Sequence, residues 1–495
     1  MYERVRACAD EHEYDMYRQS WDTVNRPKYR GLAWSESQSE ALRLIAEGYS
    51  HEDEDSRHNS SRFLYIKGRP GSGKSAVLLE AAIRACASIR VLIVCPTGVL
   101  VHSFKARLPD VEGIENISVD TIHGVLNYKR PGADSKVQWA PPSALRRIDL
   151  ILCDEGSQYE DQEWDRLFQV VQEQPHSPFV GIVADFQQLQ PLVSGGHCQQ
   201  FCNRMPHVDL ETVYRTSDER QLLFLSRIRD KQPTRQMLME YFEDRYWPKL
   251  ESLTACVARG MEIGKQRKQH FHWLCITNAG ASQVCLAALR HIGVSEADLA
   301  SGYLCDPTTK SELRILARPG LLIRLSRNFD KQRGFVNGAL AEVCESLRGN
   351  SIFIARLVGS GNMVLVHPME EEGQIFLPCS YGYGSTIRRS QGADLDLGCI
   401  YFDQKMPAGR GYGYVAVSRF KSRAGCFLYG KMRRTDFLPV GEAQTDEVLE
   451  RDIESQSSDE DDGCGLEYAF SEGDECISEL GDEDGDSGHQ LVDFI

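Results

Sequence analysis

The feature that most constrains this chain is an eight-residue run, GRPGSGKS, from Gly68 to Ser75. An apolar segment (63–66) precedes it and another (76–79) follows it, which predicts a strand, a glycine-rich turn and a helix in that order. Gly71 and Gly73 let the backbone curl so that successive N–H groups point at a polyphosphate, and the positive end of the helix adds to the attraction. The run therefore predicts a nucleoside triphosphate site in an α/β fold.

The side chains of this phosphate loop have separate tasks. The ammonium of Lys74 is expected to reach the β- and γ-phosphates, and the hydroxyl of Ser75 to ligate Mg²⁺. The rest of the loop supplies backbone N–H groups. Nucleotide contacts are therefore predicted for Gly68, Gly71, Ser72, Gly73, Lys74 and Ser75.

A second pattern places two acidic residues at the end of a strand. The apolar run 148–153 leads directly into Asp154 and Glu155. Because the carboxyl ends of parallel strands meet at one edge of a sheet, we expect both carboxylates beside the phosphate loop. Asp154 is then placed to hold the Mg²⁺ shell, and Glu155 to orient and deprotonate the attacking water.

Two glutamines are candidates for recognising the nucleotide. Gln38 lies near the start of an amphipathic helix predicted from Trp34 to Leu44, and its amide could read an adenine edge. Gln188 follows the predicted strand 179–183, where an uncharged side chain could sense the γ-phosphate. Strands alternate with helical stretches from 60 to 200, so the sheet should be mostly parallel with helices on both faces.

Composition sets broad limits on the chain. Its 495 residues should divide into about three globular units. No apolar run approaches the length of a membrane span, and the N-terminus carries neither a signal core nor a transit peptide pattern. The sixteen cysteines follow no repeating pattern and are expected to be reduced thiols. We therefore expect a cytosolic or nuclear protein, with a mitochondrial location left open.

Short sequence blocks of this chain, taken in their order from N- to C-terminus, resemble the motifs of superfamily 1 DNA helicases of the PIF-type (petite integration frequency) and RecD group. The blocks are SESQSEAL, GRPGSGKS, CPTGVLVHSF, VDTIHG, CDEGSQ, ADFQQLQPL, VYRTSD, GFVNGALAEV, STIRRSQGADLD and YVAVSR, and they extend from Gln38 to Arg419. The resemblance implies an enzyme that hydrolyses ATP with Mg²⁺, moves 5′ to 3′ along single-stranded DNA and unwinds duplex or forked DNA. Such an enzyme would act in DNA repair, recombination or replication.

The resemblance also implies roles for residues that the chain's own pattern does not explain. Arg215 and Arg419 would be two arginine fingers that reach the transferring phosphoryl group from the second lobe. Gln391 would contact the nucleotide. Contacts to the DNA strand would come from Pro96, Thr97, His123, Asn337, Arg388, Arg389 and Ser390.

The implied architecture is two RecA-like lobes with parallel sheets, ATP in the cleft between them, and a small β-barrel inserted in the second lobe. The predicted boundaries are an N-terminal extension (1–33), the ATP-binding first lobe (34–210), the second lobe in two parts (211–334 and 378–440), the barrel insert (335–377) and an acidic, disordered tail (441–495). Within the insert, the short β-rich runs 351–357 and 363–367 are separated by glycines.

The tail dominates the charge of the chain. Residues 441–495 carry 20 acidic residues and one basic residue, a net charge of −19, so the whole-chain value of −16 leaves about +3 for residues 1–440 (−16 + 19). A mildly basic body is compatible with nucleic acid binding. The tail is expected to be a solubilising segment. The alternative is that it inhibits the enzyme by competing with DNA, or binds a basic partner.

The chain departs from the family pattern at several positions. Ala184 replaces a glycine, Gln190 replaces a proline, and Arg388 and Arg389 stand where the family has His-Lys. None of these changes removes a group that performs hydrolysis, which favours an active enzyme over a decayed, nucleic-acid-binding relic of a mobile-element helicase. An RNA-directed helicase also stays open, because only the 2′-OH distinguishes the two polymers at backbone contacts.

Weaker signals have alternative explanations. Phe104, His123 and Phe186 could stack on unpaired bases, or could be core side chains. A zinc site is not favoured between residues 197 and 207, because no common zinc spacing matches His197, Cys198, Cys202 and His207. The two cysteines are instead expected to be buried thiols.

Overall fold

The computed structural model describes residues 31–50, 62–127, 139–173, 178–191, 196–248, 251–330, 333–347, 352–371 and 373–441. Residues 1–30 and 442–495 lie outside this part of the chain, and with them almost all of the predicted N-terminal extension and acidic tail. The predictions for these two segments therefore stay predictions.

A six-stranded parallel sheet forms the first lobe. Its strands are β1 (Phe63–Gly68), β2 (Val91–Cys95), β3 (Ile117–Thr121), β4 (Leu150–Cys153), β5 (Phe179–Ala184) and β6 (His207–Leu210), in the spatial order β3-β2-β4-β5-β1-β6. All neighbouring strands are parallel. Strands β2, β4 and β5 are buried along their whole length, as continuous apolar runs of a sheet covered on both faces should be.

Helices cover both faces of this sheet, as the sequence predicted. They are α1 (Glu36–Ser50), α2 (Lys74–Ala85), α3 (Gly98–Arg107), α4 (Ile122–Val125), α5 (Asp161–Glu173) and α6 (His197–Cys202). On one face, Leu42 and Ile45 of α1 share an apolar core with Leu78 of α2. On the other face, Trp164 and Leu167 of α5 pack in a second core. Because helices cover both faces, the strand ends that carry the site meet solvent only at the edge of the sheet.

The second lobe also contains a parallel sheet with helices, and it carries a mostly antiparallel insert. Its helices are α7 (Glu219–Asp230), α8 (Arg235–Phe242), α9 (Leu253–Arg267), α10 (Asn278–His291), α11 (Glu296–Ala300) and α12 (Tyr412–Ser418). The remaining strands are β7 (Tyr246–Pro248), β8 (His272–Cys275), β9 (Tyr303–Cys305), β10 (Arg314–Ile315), β11 (Leu322–Leu325), β12 (Leu340–Leu347), β13 (Ile352–Leu357), β14 (Met363–Val366), β15 (Met369–Glu371), β16 (Gln374–Leu377), β17 (Cys379–Tyr381), β18 (Gly384–Thr386), β19 (Gly398–Tyr401) and β20 (Cys426–Gly430). Strands β18-β8-β19-β20-β7 form a parallel sheet in that order.

The insert consists of two further sheets, β14-β13-β12-β11-β17 and β10-β9-β16-β15. The β-rich runs predicted at 351–357 and 363–367 form β13 and β14. Strands of these sheets extend from Tyr303 to Tyr381, on both sides of the predicted boundaries at 335 and 377. The early strands β9, β10 and β11 are two to four residues long, too short for a period-two pattern to stand out in the sequence. The domain boundaries and the barrel itself stay predictions.

The described cysteines are all free thiols, and all but Cys344 are buried. Cys198 and Cys202 of α6 belong to the apolar core of the first lobe. In the described part of the chain, no group of three or more His, Cys, Asp or Glu side chains could hold a metal ion. The same residues include no helix that is long and apolar enough to cross a membrane.

Candidate functional site

The phosphate loop follows β1 and turns into α2 with a backbone that requires glycine. Gly71 and Gly73 have φ values of 83° and 81°, in the left-handed region that L side chains rarely adopt. A Cβ on Gly71 would also lie 2.3 Å from the Cβ of Arg215, and one on Gly73 would lie 2.6 Å from Nε2 of Gln38. The sequence therefore specifies both the curl of the loop and the close approach of its neighbours.

Lys74 is buried inside this loop. Its Nζ donates to the carbonyl oxygens of Gly68 (2.8 Å) and Arg69 (3.0 Å). Burial lowers the pKa of Lys74, while the carboxylates of Glu155 and Asp185 oppose that change. The ammonium is thus held by the loop's own carbonyl groups at the position from which it would bind a phosphate.

Ser75 and Asp154, the two predicted Mg²⁺ ligands, are in direct contact. The Ser75 hydroxyl donates to the Asp154 carboxylate, whose two oxygens each lie 3.0 Å from Oγ. Burial raises the pKa of Asp154, and the neighbouring Glu155 adds to the rise. One hydroxyl and one carboxylate, from two different elements, are oxygen ligands of the kind that Mg²⁺ prefers beside phosphates. The donor set fits that metal.

Glu155 combines an unusual backbone with an unbonded carboxylate oxygen. Its φ of 50° lies in the left-handed region, which few residues other than glycine and asparagine adopt. Its Oε2 is buried and has no hydrogen-bond partner among the described residues. Backbone strain of this kind is concentrated at functional sites. An unpaired carboxylate oxygen here can accept a proton from a water molecule.

The three glutamines predicted at the nucleotide have different surroundings. Gln38 is buried, and its Nε2 donates to the carbonyl oxygen of Ser72 at 3.1 Å. Gln188 is buried at the cleft, and its Nε2 has no partner in the described part of the chain. Gln391 instead donates to the carbonyl oxygen of Leu189 at 2.9 Å, so the structure places its amide on the backbone of the first lobe.

The two predicted arginine fingers enter the cleft together. Arg215 donates from Nη1 to the carbonyl oxygen of Ser418 (3.0 Å) and pairs through Nη2 with Asp394 (2.8 Å). Arg419 is buried, and its Nη2 donates to Oε1 of Gln188 (3.3 Å). Burial, and then the neighbouring Arg215, lower the pKa of Arg419 to about 10. The second lobe and the connection that leads into it therefore place two guanidinium groups against the nucleotide side of the first lobe.

The predicted strand contacts of the first lobe lie at exposed helix starts. Thr97 is exposed, and its Oγ1 accepts the N–H of Leu100 at the start of α3. His123 is exposed in α4 and contacts Glu163 through Nε2. The loop of Asn337 lies close to Thr97. The Oδ1 atom of Asn328 accepts the N–H of Asn337, and it lies 2.6 Å from the position that a Cβ on Gly98 would take. Gly98 is the residue that follows Thr97.

The strand contacts predicted in the second lobe differ in their bonding, because some of these side chains donate to backbone carbonyl groups and others line a cavity. Arg388 donates to the carbonyl oxygen of Gln190, and the Ser390 hydroxyl donates to that of Ile387. Arg389 and Arg324 of β11 line the same cavity. Burial, and then the positive charge of Arg389, lower the pKa of Arg324 to about 10. Neither Arg324 nor Arg389 has a carboxylate partner among the described residues. Asn278, Ser282, Ser385 and Thr386 also line the cavity.

Comparison with known proteins agrees with this arrangement. Residues 55–246 match the AAA domain family. The chain is 24% identical over 420 residues to "ATP-dependent DNA helicase PIF1" of Danio rerio, covering 79% of this chain and 61% of that protein. It is 25% identical over 404 residues to "ATP-dependent DNA helicase Pif1" of Bdellovibrio bacteriovorus, covering 75% and 85%. The chain is therefore similar to PIF-type proteins over about three quarters of its length.

Solved structures of PIF-type proteins show the same fold. A Bacteroides Pif1 helicase, in complex with ADP-AlF3 and ssDNA, superimposes with a TM-score of 0.58 at 15% identity over 87% of this chain and 99% of that one. Pif1 helicase from Candida albicans gives 0.58 at 17% identity, over 87% and 100%. The present chain spans about three fifths of the length of the vertebrate PIF-type relatives that it matches.

The structure also identifies cleft residues that the sequence did not reveal. Asp185 is buried and accepts hydrogen bonds from Arg229 Nη2 (3.3 Å) and the Tyr414 hydroxyl (3.4 Å), both from the second lobe. Tyr214 is half exposed, and its N–H donates to the carbonyl oxygen of Gly71 (2.7 Å), which places its ring beside Gly73. Asp185 carries the signal that identified Asp154, an acidic residue directly after a buried strand.

Two of the aromatic candidates for base stacking are core side chains. Phe104 of α3 is fully buried, and Phe186, in the turn after β5, is nearly so; each belongs to an apolar core of the first lobe. The structure instead exposes Phe329, which follows Asn328 and stacks on the ring of His367 with centroids 6.1 Å apart. This exposed aromatic lies in the same loop region as Asn337, where a base could stack on it.

Proposed function

We propose that this chain is an ATP-driven motor that moves 5′ to 3′ along single-stranded DNA and unwinds duplex or forked DNA. The observation that carries the proposal is the contact of Arg419 with Gln188, which joins a second-lobe guanidinium to the nucleotide side of the first lobe. Processes that expose single strands, namely repair, recombination and replication, are where such a motor would act.

Hydrolysis would use the groups already assembled in the cleft. Lys74 would bind the β- and γ-phosphates, and the Tyr214 ring would cover the adenine beside Gln38. Ser75 and Asp154 would hold Mg²⁺, which neutralises charge on the phosphates when it is bound. Glu155 would take the proton of the attacking water on its unpaired oxygen, Oε2.

Movement would follow from the division of the phosphate ligands between two lobes. Arg419 follows α12 of the second lobe, Lys74 begins α2 of the first lobe, and Arg215 lies in the connection from β6 to α7. A γ-phosphate bound by all three holds the lobes together, and its removal by hydrolysis lets them separate. If each lobe binds the DNA backbone alternately, one cycle of closing and opening becomes one step along the strand.

The cavity of Arg324 and Arg389 supports a role for the second lobe in binding the backbone. Two guanidinium groups without carboxylate partners, beside hydroxyl and amide side chains, suit a phosphodiester. We expect Arg324→Met to weaken binding of single-stranded DNA about tenfold and to reduce the slope of log affinity against log salt by about 0.7, because one phosphate contact is lost. Fluorescence anisotropy across a salt series measures both quantities.

Arg356→Met is the matched control for that substitution. Arg356 lies in the same sheet, on β13, but is exposed and pairs with Glu342 at 3.5 Å. We expect its affinity and salt slope to equal those of the unaltered protein. An unchanged salt slope in Arg324→Met would remove the cavity from the path of the strand.

The proposed function is tested by ATP hydrolysis with and without single-stranded DNA, beside Lys74→Ala. We expect strong stimulation by the strand and turnover reduced to background in the variant, with only a modest loss of strand binding, because Lys74 is the buried cation of the phosphate loop. Unaltered turnover in Lys74→Ala would overturn the assignment of the site. Stimulation by RNA and not by DNA would favour an RNA-directed enzyme.

The absence of hydrolysis by the full chain would favour a decayed relic, unless residues 1–440 are active without the acidic segment. Activity of 1–440 alone would instead support an autoinhibitory tail, motivated by its net charge of −19 (20 acidic residues against one basic residue). A nuclear or cytosolic location is proposed because the described cysteines are free thiols.

A further inference from the structure

Arg215 is bound by a carboxylate where the other predicted arginine finger has only neutral acceptors. Its Nη2 lies 2.8 Å from Oδ1 of Asp394, and its Nη1 donates to a backbone carbonyl group. Arg419, in contrast, donates to the carbonyl oxygen of Val415 and to the side-chain oxygens of Ser418 and Gln188. Asp394 is therefore the one formal negative charge in direct contact with either finger among the described residues.

The backbone of Arg215 is fixed to the phosphate loop, so only its side chain is able to exchange partners. The N–H groups of Tyr214 and Arg215 both donate to the carbonyl oxygen of Gly71, at 2.7 Å and 3.3 Å. A carboxylate and a γ-phosphate are acceptors of the same kind for a guanidinium group. Asp394 therefore competes with the γ-phosphate for the Nη2 of Arg215.

Asp394 belongs to the segment that is predicted to bind the DNA strand. The N–H of Ala393 donates to the carbonyl oxygen of Ser390 at 3.0 Å, and the N–H of Leu395 to that of Arg419 at 2.8 Å. One end of this short segment is therefore tied to the turn of Arg388 to Ser390, and the other to the second finger. A shift of the turn would move the Asp394 carboxylate relative to Arg215.

We propose that Asp394 is a positioning residue that restrains Arg215 until a nucleoside triphosphate displaces it, and that a strand bound at residues 388–390 weakens this restraint. The inference rests on the proposed function, since it takes Arg215 as a ligand of the γ-phosphate. It gives the chain a direct link between strand binding and hydrolysis. Without a strand, the restrained finger keeps turnover low.

The substitution Asp394→Asn tests the restraint, because it removes the charge and keeps the size of the side chain. We expect it to bind the non-hydrolysable β,γ-imido analogue of ATP about tenfold more tightly, about 1.4 kcal/mol, and to bind ADP unchanged. Only the analogue carries the third phosphate that competes with the carboxylate. Isothermal titration of both nucleotides with Mg²⁺, without DNA, measures this difference.

Turnover provides the second readout. We expect Asp394→Asn to raise hydrolysis without a strand several-fold and to leave the rate at saturating strand unchanged, so that the stimulation ratio falls. Asp394→Glu restores a carboxylate and should behave as the unaltered protein. Equal falls in both rates, with an unchanged preference between the two nucleotides, would show a structural role and overturn the proposal.

Asp396→Asn is a closely matched control. Asp396 lies two residues further on, is 50% exposed against 48% for Asp394, and also forms a 2.8 Å ion pair, with Lys421 at the surface. It should leave the binding of both nucleotides and both rates unchanged; the same effect from either substitution would show a general loss of charge and overturn the specific role of Asp394. A chain that binds both nucleotides as expected but hydrolyses none would contradict the proposed function and leave the restraint supported.

Discussion

Replacing Glu155 by Gln is expected to lower ATP turnover at saturating single-stranded DNA by about 10²- to 10⁴-fold, the usual contribution of a general base. The amide keeps the size of the side chain but cannot take a proton from water. Nucleotide and strand affinities should persist, because Lys74 and the Ser75–Asp154 pair are untouched. Single-turnover hydrolysis, with binding of the same nucleotide measured in parallel, separates the chemical step from affinity.

Glu160→Gln is the control for this substitution, since Glu160 is an exposed acidic residue five positions further along the chain. Turnover that survives in Glu155→Gln would assign the proton transfer to another group. Asp185 would be the next acidic side chain to test, but Arg229 and Tyr414 already bind its carboxylate. The unpaired oxygen of Glu155 is what distinguishes it from Asp185.

Contiguous patterns were enough to predict the nucleotide side of the site. The strand, glycine loop and helix around Lys74 lie within about twenty residues, and the strand before Asp154 runs directly into the acidic pair. Each prediction needed only local periodicity and the rule that parallel strands end at one edge. The parallel sheet of the first lobe, and an acidic pair at the same edge as the phosphate loop, were predicted for that reason.

Contacts between distant residues could not be predicted in the same way. Gln188 and Arg419 are 231 positions apart, and their contact depends on how the two lobes pack. The pairing of Arg215 with Asp394 and the shared cavity of Arg324 and Arg389 likewise join segments that are far apart in the sequence. A sequence block specifies which residue is present, but the fold decides which partner its side chain meets.

Burial was the other property that sequence blocks left undecided. Phe104 lies in a block that resembles a strand-binding motif, yet its ring is in the core because α3 turns that face toward the sheet. Phe329 lies outside every quoted block and is exposed. An aromatic residue therefore becomes a stacking candidate only after its exposure is known.

Arg419→Ala is expected to reduce ATP turnover by about 10³- to 10⁵-fold, the range for loss of an arginine finger. Arg419 is almost wholly buried in the cleft, where the lack of bulk water strengthens its attraction for a developing phosphoryl charge. Its Nη2 contact with Gln188 also connects the lobes. Strand affinity should change little, because the predicted strand contacts lie elsewhere.

The size of that loss depends on whether Arg419 acts by charge alone or by the geometry of its fork. Arg419→Lys keeps a cation but replaces the planar, two-pronged guanidinium by a single nitrogen on a shorter side chain, so most of the loss should remain. Arg423→Ala controls for packing of the same segment, since the Arg423 guanidinium contacts backbone carbonyl groups and the Glu243 carboxylate, all in the second lobe. Near-normal turnover in Arg419→Lys would show that charge alone is sufficient. Near-normal turnover in Arg419→Ala, with thermal stability unchanged, would assign the role of arginine finger to Arg215 alone.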